Sequence, residues 1–384
     1  MDMAILTNKI KLLRLVFPVA IIASAMVSCL DDDSRSHNDD RLGNFEACWT
    51  AIDEHYCFFE EKNIDWDKVY NAYRPYFRDS IKNMLDEFNY LGGMLSYLRD
   101  GHVNLYSPFN TARYWAWFED YPDNYDANLV NRYYLGTHYW TTSGLDLNVF
   151  KDSIAYIRYD SFSVTPGEAN LDYALVAVDY CKGLIIDVRN NGGGSLTNVP
   201  LIANRFASEK TCYGYISHKT GPGHNDFSTP QPLYLEPVEG RVSWDASVQP
   251  VVVLTNRHTF SAANNFVQAM RALAGTKTAH KGGETLPKMI TVIGDKTGGG
   301  SGMPFETVLP NGWVLRFSAC PMIDHNRKST EGGIDPDIKV DMDSVSMYEN
   351  HLDDIIERAR VYIKENTRMV YEEKVEEEEV EVGV

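Results

Sequence analysis

Residues 183–195 read GLIIDVRNNGGGS. The run Leu184 to Val188 is short and almost continuously apolar. That pattern fits a strand covered on both faces rather than one. Three glycines follow, which let the backbone approach a ligand and turn N–H groups toward it. The pattern recurs at 251–266, where VVVLTN leads into RHTFSAANNF, and again at ITVIG (290–294). Phe266, Met270 and Leu273 recur at helical spacing after Ser261. SIAYIRY (153–159) alternates like a strand. EANLDYALVAVDY (168–180) and LTNVPLIANRFA (196–207) read as helices. Strands alternating with helices predict an α/β core with a mixed, mostly parallel sheet over 153–345. FETVLPNGWVLRFSA (305–319) reads as a hairpin turning at Pro310, Asn311 and Gly312. TKTAHKGGETLPK (276–288) reads as a surface loop.

Upstream the pattern is helical. Phe45, Trp49, Ile52 and Tyr56 share one face, as do Met84, Phe88, Leu91, Leu95 and Leu98. Residues 44–105 are therefore expected to be a small helical subdomain, with NIDWDKVYNAYRPYF (63–77) between two helices. The second helix should stop near RDGH, with Gly101 supplying the terminating conformation. Residues 106–152 form an aromatic-rich connecting segment. Tyr114, Trp115, Trp117 and Phe118 in it suit either a packing patch or a groove wall. Residues 346–384 are expected to be a C-terminal helix and an acidic tail.

The chain has 384 residues, is 44% hydrophobic and carries a formal charge of −18. It can bury a sizeable core, and it lacks the basic face that nucleic acid requires. The acidic runs 30–40 and 372–382 read as solvated, disordered segments. At the N-terminus, Lys9, Lys11 and Arg14 precede the apolar stretch LVFPVAIIASAMV (15–27), too short for a comfortable membrane span. With MVSC after it, this resembles a bacterial lipoprotein signal, and the acidic run after Cys29 resembles the surface-export signals of some Bacteroidetes lipoproteins. The resemblance implies a signal peptide over 1–28, lipidation of Cys29, an acidic linker over 29–43, and a membrane-anchored lipoprotein of the cell envelope, periplasmic or cell-surface. Cys48, Cys57, Cys181, Cys212 and Cys320 remain. Their odd number and the lack of any CxxC support neither a disulfide framework nor a zinc site.

Chemistry is expected at the carboxyl ends of the parallel strands. Neither DVRNNGGGS nor GDKTGGGSG contains GxxxxGK[ST] or GxGxxG, so nucleotide binding is not indicated. Ser261 opens a helix, where backbone N–H groups and the dipole suit an anionic intermediate. Serine is equally a favoured helix cap. A serine nucleophile needs a base, and the residues alone leave His102, in LRDGHVNL, and His258 both open.

Five stretches occur in order: LRDGHVNL, GLIIDVRNNGGGS, VVVLTNRHTFSAANNFVQAM, VIGDKTGGGSGMP and EGGIDPDIKV. Together, from about Phe45 to Val340, they resemble the serine peptidases that include the C-terminal processing (tail-specific) peptidases and the tricorn protease core. The resemblance implies a ClpP/crotonase-like core. It implies Ser261 as nucleophile, and an oxyanion hole from the N–H of Ala262 with that of Gly193 or Gly194. Processing peptidases use a lysine in a TxGKG-like motif. Here KTGGGSG puts Gly300 at that position, and Lys296 lies outside it. His102 matches the histidine of the tricorn-like branch, and Glu331 the acid that orients it. The interval from Leu105 to Ser153 is too short for the PDZ domain of the processing peptidases. Asp187 and Arg189 are expected to hold the glycine loop, Asp100 to cap or pair locally, Asp335 and Asp337 to form a turn, and His258 to lie at the surface or behind the site.

The sequence therefore predicts a serine endopeptidase acting on peptides or unfolded proteins by a Ser–His–Glu mechanism, with no metal or organic cofactor. The alternatives are a peptide- or ligand-binding lipoprotein on the same fold without turnover, and a non-peptide esterase.

Overall fold

Every residue of the strand Leu184–Asp187 is buried. In the computed structural model, which describes residues 40–280 and 283–381, the chain divides into two units. One comprises residues up to Tyr114 together with 221–225 and 304–319, and the other the remainder. The expected signal peptide over 1–28 and Cys29 lie outside the described residues.

The first unit contains helices α1 (Arg41–His55), α2 (Trp66–Asp79) and α3 (Met84–Ser96), followed by strands β1 (Asn104–Tyr106) and β2 (Thr111–Arg113). Strand β1 pairs antiparallel with β2 and with Val314–Arg316. Phe45 stacks on Phe77 at 4.7 Å, and Phe88 meets Trp313 edge-on at 5.6 Å. The stretch 63–77, which was expected only to link two helices, is largely a helix itself. Asp65 caps it by accepting from the Lys68 N–H, and Trp66, Val69 and Phe77 are its buried face. Pro75 inside the helix obscures the periodicity. Helix α3 also ends earlier than expected. Arg99, at φ 47°, adopts the left-handed conformation assigned to Gly101.

In the second unit, a short helix α4 (Ala116–Glu119) precedes strands β3 (Trp140–Thr142), β4 (Leu145–Val149) and β5 (Ala155–Tyr159). Then come α5 (Glu168–Val176), β6 (Leu184–Asp187) and α6 (Asn198–Ala203). Strands β7 (Thr211–Ile216) and β8 (Gln231–Leu235) form an antiparallel pair. They are followed by β9 (Val251–Thr255), α7 (Ala262–Ala274), β10 (Lys277–Ala279), β11 (Thr285–Pro287) and β12 (Ile290–Gly294). Last come β13 (Gly302–Val308), β14 (Val314–Asp324), β15 (Ile338–Lys339) and α8 (Asp354–Glu381). The main sheet has seven strands in the order β15-β12-β9-β6-β5-β4-β3. It is parallel from β15 to β5 and antiparallel through β4 and β3.

Alternation explains the apolar runs. Leu184, Ile186, Val251, Val253 and Val292 face a core shared with α5, α6 and α7. Ile185, Val252, Leu254 and Ile293 face the opposite core, with Ile355, Ile356, Ala359 and Ile363 of α8. Each such side chain, fully buried, is worth about 1.5–3 kcal/mol. A strand covered on both faces cannot show a polar side, so its sequence reads as uninterrupted hydrophobics.

The hairpin at 310–312 forms as expected, with Gly312 at φ 81°. Two expectations fail. Residues 276–288 are not a plain loop but carry the antiparallel pair β10–β11. The acidic run from Glu372 is not irregular backbone, because α8 continues to Glu381; glutamate and lysine are good helix formers. All five cysteines among the described residues are free thiols. Burial pushes the Cys181 and Cys320 thiols up to about 11, which makes them poor nucleophiles.

Candidate active site

Strands β6 and β9 are neighbours, so their carboxyl ends open side by side. Beneath them Arg189 is wholly buried between two carboxylates, 2.7 Å from Asp187 and 2.9 Å from Asp353, and Tyr156 donates to Asp187 at 2.8 Å. A buried ion pair lasts only when its remaining polar atoms are bonded, and here they are. Burial raises the Asp353 carboxyl above its ordinary range despite the pull of Arg189. Asp187 and Arg189 were expected to hold the glycine loop; their bonds instead tie the end of β6 to Asp353 at the start of α8.

The two loops beyond the strands are stitched together. Asn256 Oδ1 accepts from the Asn190 N–H at 3.0 Å, and Asn256 Nδ2 donates to Asn190 Oδ1 at 2.6 Å. Thr259 Oγ1 donates to the Val188 carbonyl at 2.9 Å, and the Phe260 N–H to the Asn191 carbonyl at 3.0 Å. The glycine loop is therefore pressed against the loop that carries Ser261. A β-carbon on Gly193 would lie 2.7 Å from Ser261 Cβ and 2.8 Å from the Ala262 nitrogen, so only glycine fits there.

Ser261 sits at φ 57°, ψ −122°, a conformation costly for any residue with a side chain. It occupies the N-cap position of α7, yet its hydroxyl makes no capping hydrogen bond. The ordinary reading of a serine at a helix start therefore fails here. The first N–H groups of α7 nonetheless lie beside Ser261. Ala262 is the first residue of α7, and its N–H has no carbonyl one turn earlier to bond. The Gly193 N–H donates to Asn191 Oδ1 at 3.0 Å.

A third segment backs Ser261. The Ser261 N–H donates to the Gly299 carbonyl at 2.8 Å, and the Gly300 N–H to the Glu331 carbonyl at 3.2 Å. Glu331 is buried, and its Oε2 accepts from the Ser301 N–H at 2.9 Å. Asn264 on α7 donates to the Thr330 carbonyl at 3.3 Å and accepts from Thr297 Oγ1 at 2.6 Å. Ser261, Gly193 and Glu331 thus belong to one hydrogen-bonded region of the second unit, with Ala262 next to Ser261 in the chain and Gly194 bridged to Phe162.

His102 lies in the first unit, in the turn between α3 and β1, and is buried. Its N–H donates to Asp100 Oδ1 at 2.8 Å. Asp100 does more than cap locally. It accepts from Tyr56 Oη at 2.9 Å and Ser318 Oγ at 3.0 Å, and pairs with Lys62 at 3.2 Å. Burial works to raise its carboxyl, but Lys62, His102 and these bonds outweigh it and hold it below the usual range. The partners are distant in sequence, which is why a local reading missed them.

The remaining candidates have these neighbours. His258 lies against Phe118 at 4.3 Å, and burial lowers its pKa. Lys296 is 3.8 Å from Asp335. Asp337 pairs with Arg271 at 2.6 Å and accepts from the Val292 N–H, so it is more than a turn residue.

Residues 153–340 match Peptidase family S41, and residues 37–89 match the Tricorn protease C1 domain. A solved structure of a candidate peptidase from Parabacteroides merdae ATCC 43184 is 46% identical, over 85% of this chain and 97% of that one, with a TM-score of 0.76. The chain belongs to peptidase family S41. It is a serine peptidase, a hydrolase. This S41 peptidase also shares its fold with mature CPAF (11% identity, 87% of this chain and 98% of that one, TM-score 0.62). The fold extends to the tricorn protease (15% identity, 87% of this chain but 37% of that one, TM-score 0.51).

Proposed function

We propose that this S41 peptidase is an endopeptidase in which Ser261 attacks the scissile carbonyl, His102 is the general base and Glu331 orients the histidine. His102 takes the Ser261 proton as the Oγ–C bond forms, then gives it to the leaving amine as the C–N bond breaks. Water reverses the sequence on the acyl-enzyme. Glu331 fixes the tautomer and stabilises the imidazolium. The oxyanion is received by the Ala262 N–H and by the glycine loop. Asn191 already holds the Gly193 N–H, so Gly194 is the preferred second donor. The substrates are peptides or unfolded proteins.

One observation carries this reading: a serine held in a strained conformation at a helix start, against a glycine loop, with its hydroxyl not used as a cap. Labelling with a fluorophosphonate probe tests it. Wild type should label at Ser261, and Ser261→Ala and His102→Ala should not. Labelling that survives in His102→Ala but disappears in Lys296→Ala would refute the choice of base. We also propose that the chain is an envelope lipoprotein acylated on Cys29. Incorporation of labelled palmitate should be lost in Cys29→Ala.

A further inference from the structure

Helix α7 carries two amides in its buried part. Asn264 and Gln268 are buried on a helix whose other buried residues include Ala263, Phe266, Val267 and Met270. They stand three and seven positions after Ser261, on one face of the helix. Burying an amide costs free energy unless its polar atoms are bonded. Gln268 Nε2 donates to the Tyr213 carbonyl at 3.1 Å and to the Ile323 carbonyl at 3.2 Å. Carbonyls only accept, so this fixes the amide's orientation and leaves Oε1 as an acceptor. Thr330 Oγ1 donates to it at 3.0 Å. Gly214 leaves room for the amide, since a β-carbon there would lie 2.3 Å from Nε2.

Asn264 is fixed in the same way. Thr297 Oγ1 accepts from the Ile334 N–H at 2.6 Å, so its own proton goes to Asn264 Oδ1, also at 2.6 Å. That turns Asn264 Nδ2 toward the Thr330 carbonyl, 3.3 Å away. Two side chains of the helix that starts at Ser261 thus converge on one residue, and that residue precedes Glu331. The main chain of Glu331 is held as well: its N–H donates to Ser329 Oγ at 3.1 Å, and its carbonyl accepts from the Gly300 N–H.

We propose that Asn264, Gln268 and Thr330 are positioning residues for the peptidase reaction, holding Glu331 at a set distance from Ser261 through the helix that carries the nucleophile. The inference rests on reading Ser261 as the nucleophile and Glu331 as the acid that orients His102. Glu331 lies outside any helix or strand, so its place is not set by regular structure. A misplacement of about 1 Å in such a group can cost about a hundredfold in rate. Tying Thr330 to α7 makes one rigid element the reference for both nucleophile and acid.

The rate of reaction with a fluorophosphonate probe reports on Ser261 directly, and its dependence on probe concentration separates the maximal rate from the apparent affinity. Glu331→Gln should lower the maximal rate. Thr330→Val, isosteric but without the hydroxyl, should lower it about tenfold with the apparent affinity unchanged. Thr330→Ser should restore it. Gln268→Met removes the same bond from the other side and should act as Thr330→Val does; it takes that variant's place if Thr330→Val does not fold. In a Glu331→Gln background Thr330→Val should slow the reaction no further, because a residue that acts through Glu331 has nothing left to position. Melting curves report the stability lost in each variant. A purely structural bond would lower the melting temperature and leave the maximal rate unchanged, which would overturn the proposal, as would equal slowing in both backgrounds. If wild type resists the probe, or Glu331→Gln has no effect, the mechanistic reading falls and this inference with it. If Glu331→Gln slows the reaction while Thr330→Val and Gln268→Met do not, the inference alone falls.

Discussion

A β-carbon on Gly300 would lie 2.4 Å from Cε2 of Phe260. The ring, which also stacks on Trp117, fills the space that a side chain at 300 would need. Gly300 also sits at φ 76°, where side chains are strained. If position 300 answers to the lysine position of the processing peptidases, as the resemblance in KTGGGSG implies, Phe260 fills the space that such a side chain would need.

Gly300→Lys should therefore not create a Ser–Lys dyad. The variant should lose at least about 2 kcal/mol of stability from overpacking and backbone strain, and Gly300→Ala should lose a comparable amount. Denaturant unfolding measures this. Turnover by the double variant His102→Ala/Gly300→Lys would contradict it, as would wild-type stability in Gly300→Ala.

Much of this was legible beforehand because buried strands announce themselves. GLIIDV, VVVLTN and ITVIG are covered on both faces and so read as apolar runs, and the helices between them keep their period. The glycine loop and Ser261 were visible as strand-end features. What escaped was non-local or weakly patterned. The antiparallel strands β3 and β4 are short, and Trp140–Thr142 is largely exposed, so it shows no alternation. Asp100 draws its partners from residues 56, 62 and 318. The packing of Trp117 on Phe260 joins positions more than a hundred residues apart, and no local period encodes it. The strain at Ser261 has no sequence signature outside a GxSxG elbow, which this chain lacks.

That strain has a measurable consequence. At an ordinary helix start, alanine is worse than glycine by a few tenths to about 2 kcal/mol when a cap is lost, whereas in regular structure alanine is the better residue. Ser261→Ala removes the hydroxyl and keeps the strain. Ser261→Gly releases it and should be more stable than Ser261→Ala by about 1 kcal/mol. Both lack the hydroxyl, so the difference between their melting temperatures does not include its loss. The reverse order would mean that the left-handed conformation is not held in solution.

Asp100 predicts a pH dependence. Its carboxyl is held below the usual range, so the unfolded chain takes up the proton first as pH falls. The stabilisation is fully present above the unfolded value, near about pH 4, and is lost as pH falls through the folded value. Asp100→Asn removes the charge that faces Lys62 and should cost about 3 kcal/mol at neutral pH. The difference between wild type and variant should shrink as pH drops below about 4. A constant difference across that range would show that the charge contributes nothing.

Asn191 offers the sharpest test of the oxyanion site. It is wholly buried; Nδ2 donates to the Tyr159 carbonyl at 2.7 Å, and Oδ1 accepts from the Gly193 N–H at 3.0 Å. Its own carbonyl accepts from the Phe260 N–H, so the residue sets the distance between the glycine loop and Ser261. Asn191→Ala removes both side-chain bonds and loosens the loop. Asn191→Asp keeps the acceptor for Gly193, loses the donor to Tyr159 and, when ionised, sets a negative charge behind the loop that must receive an oxyanion. Both should lose about 1–3 kcal/mol of stability. If the loop serves only as a spacer, alanine should impair turnover more, because aspartate preserves the Gly193 bond. If it stabilises a developing negative charge, aspartate should be worse, lowering kcat by about 10²–10³ with a smaller change in KM. We expect the second order, and expect the aspartate variant to recover activity toward low pH, where protonation removes the charge while the alanine variant does not respond.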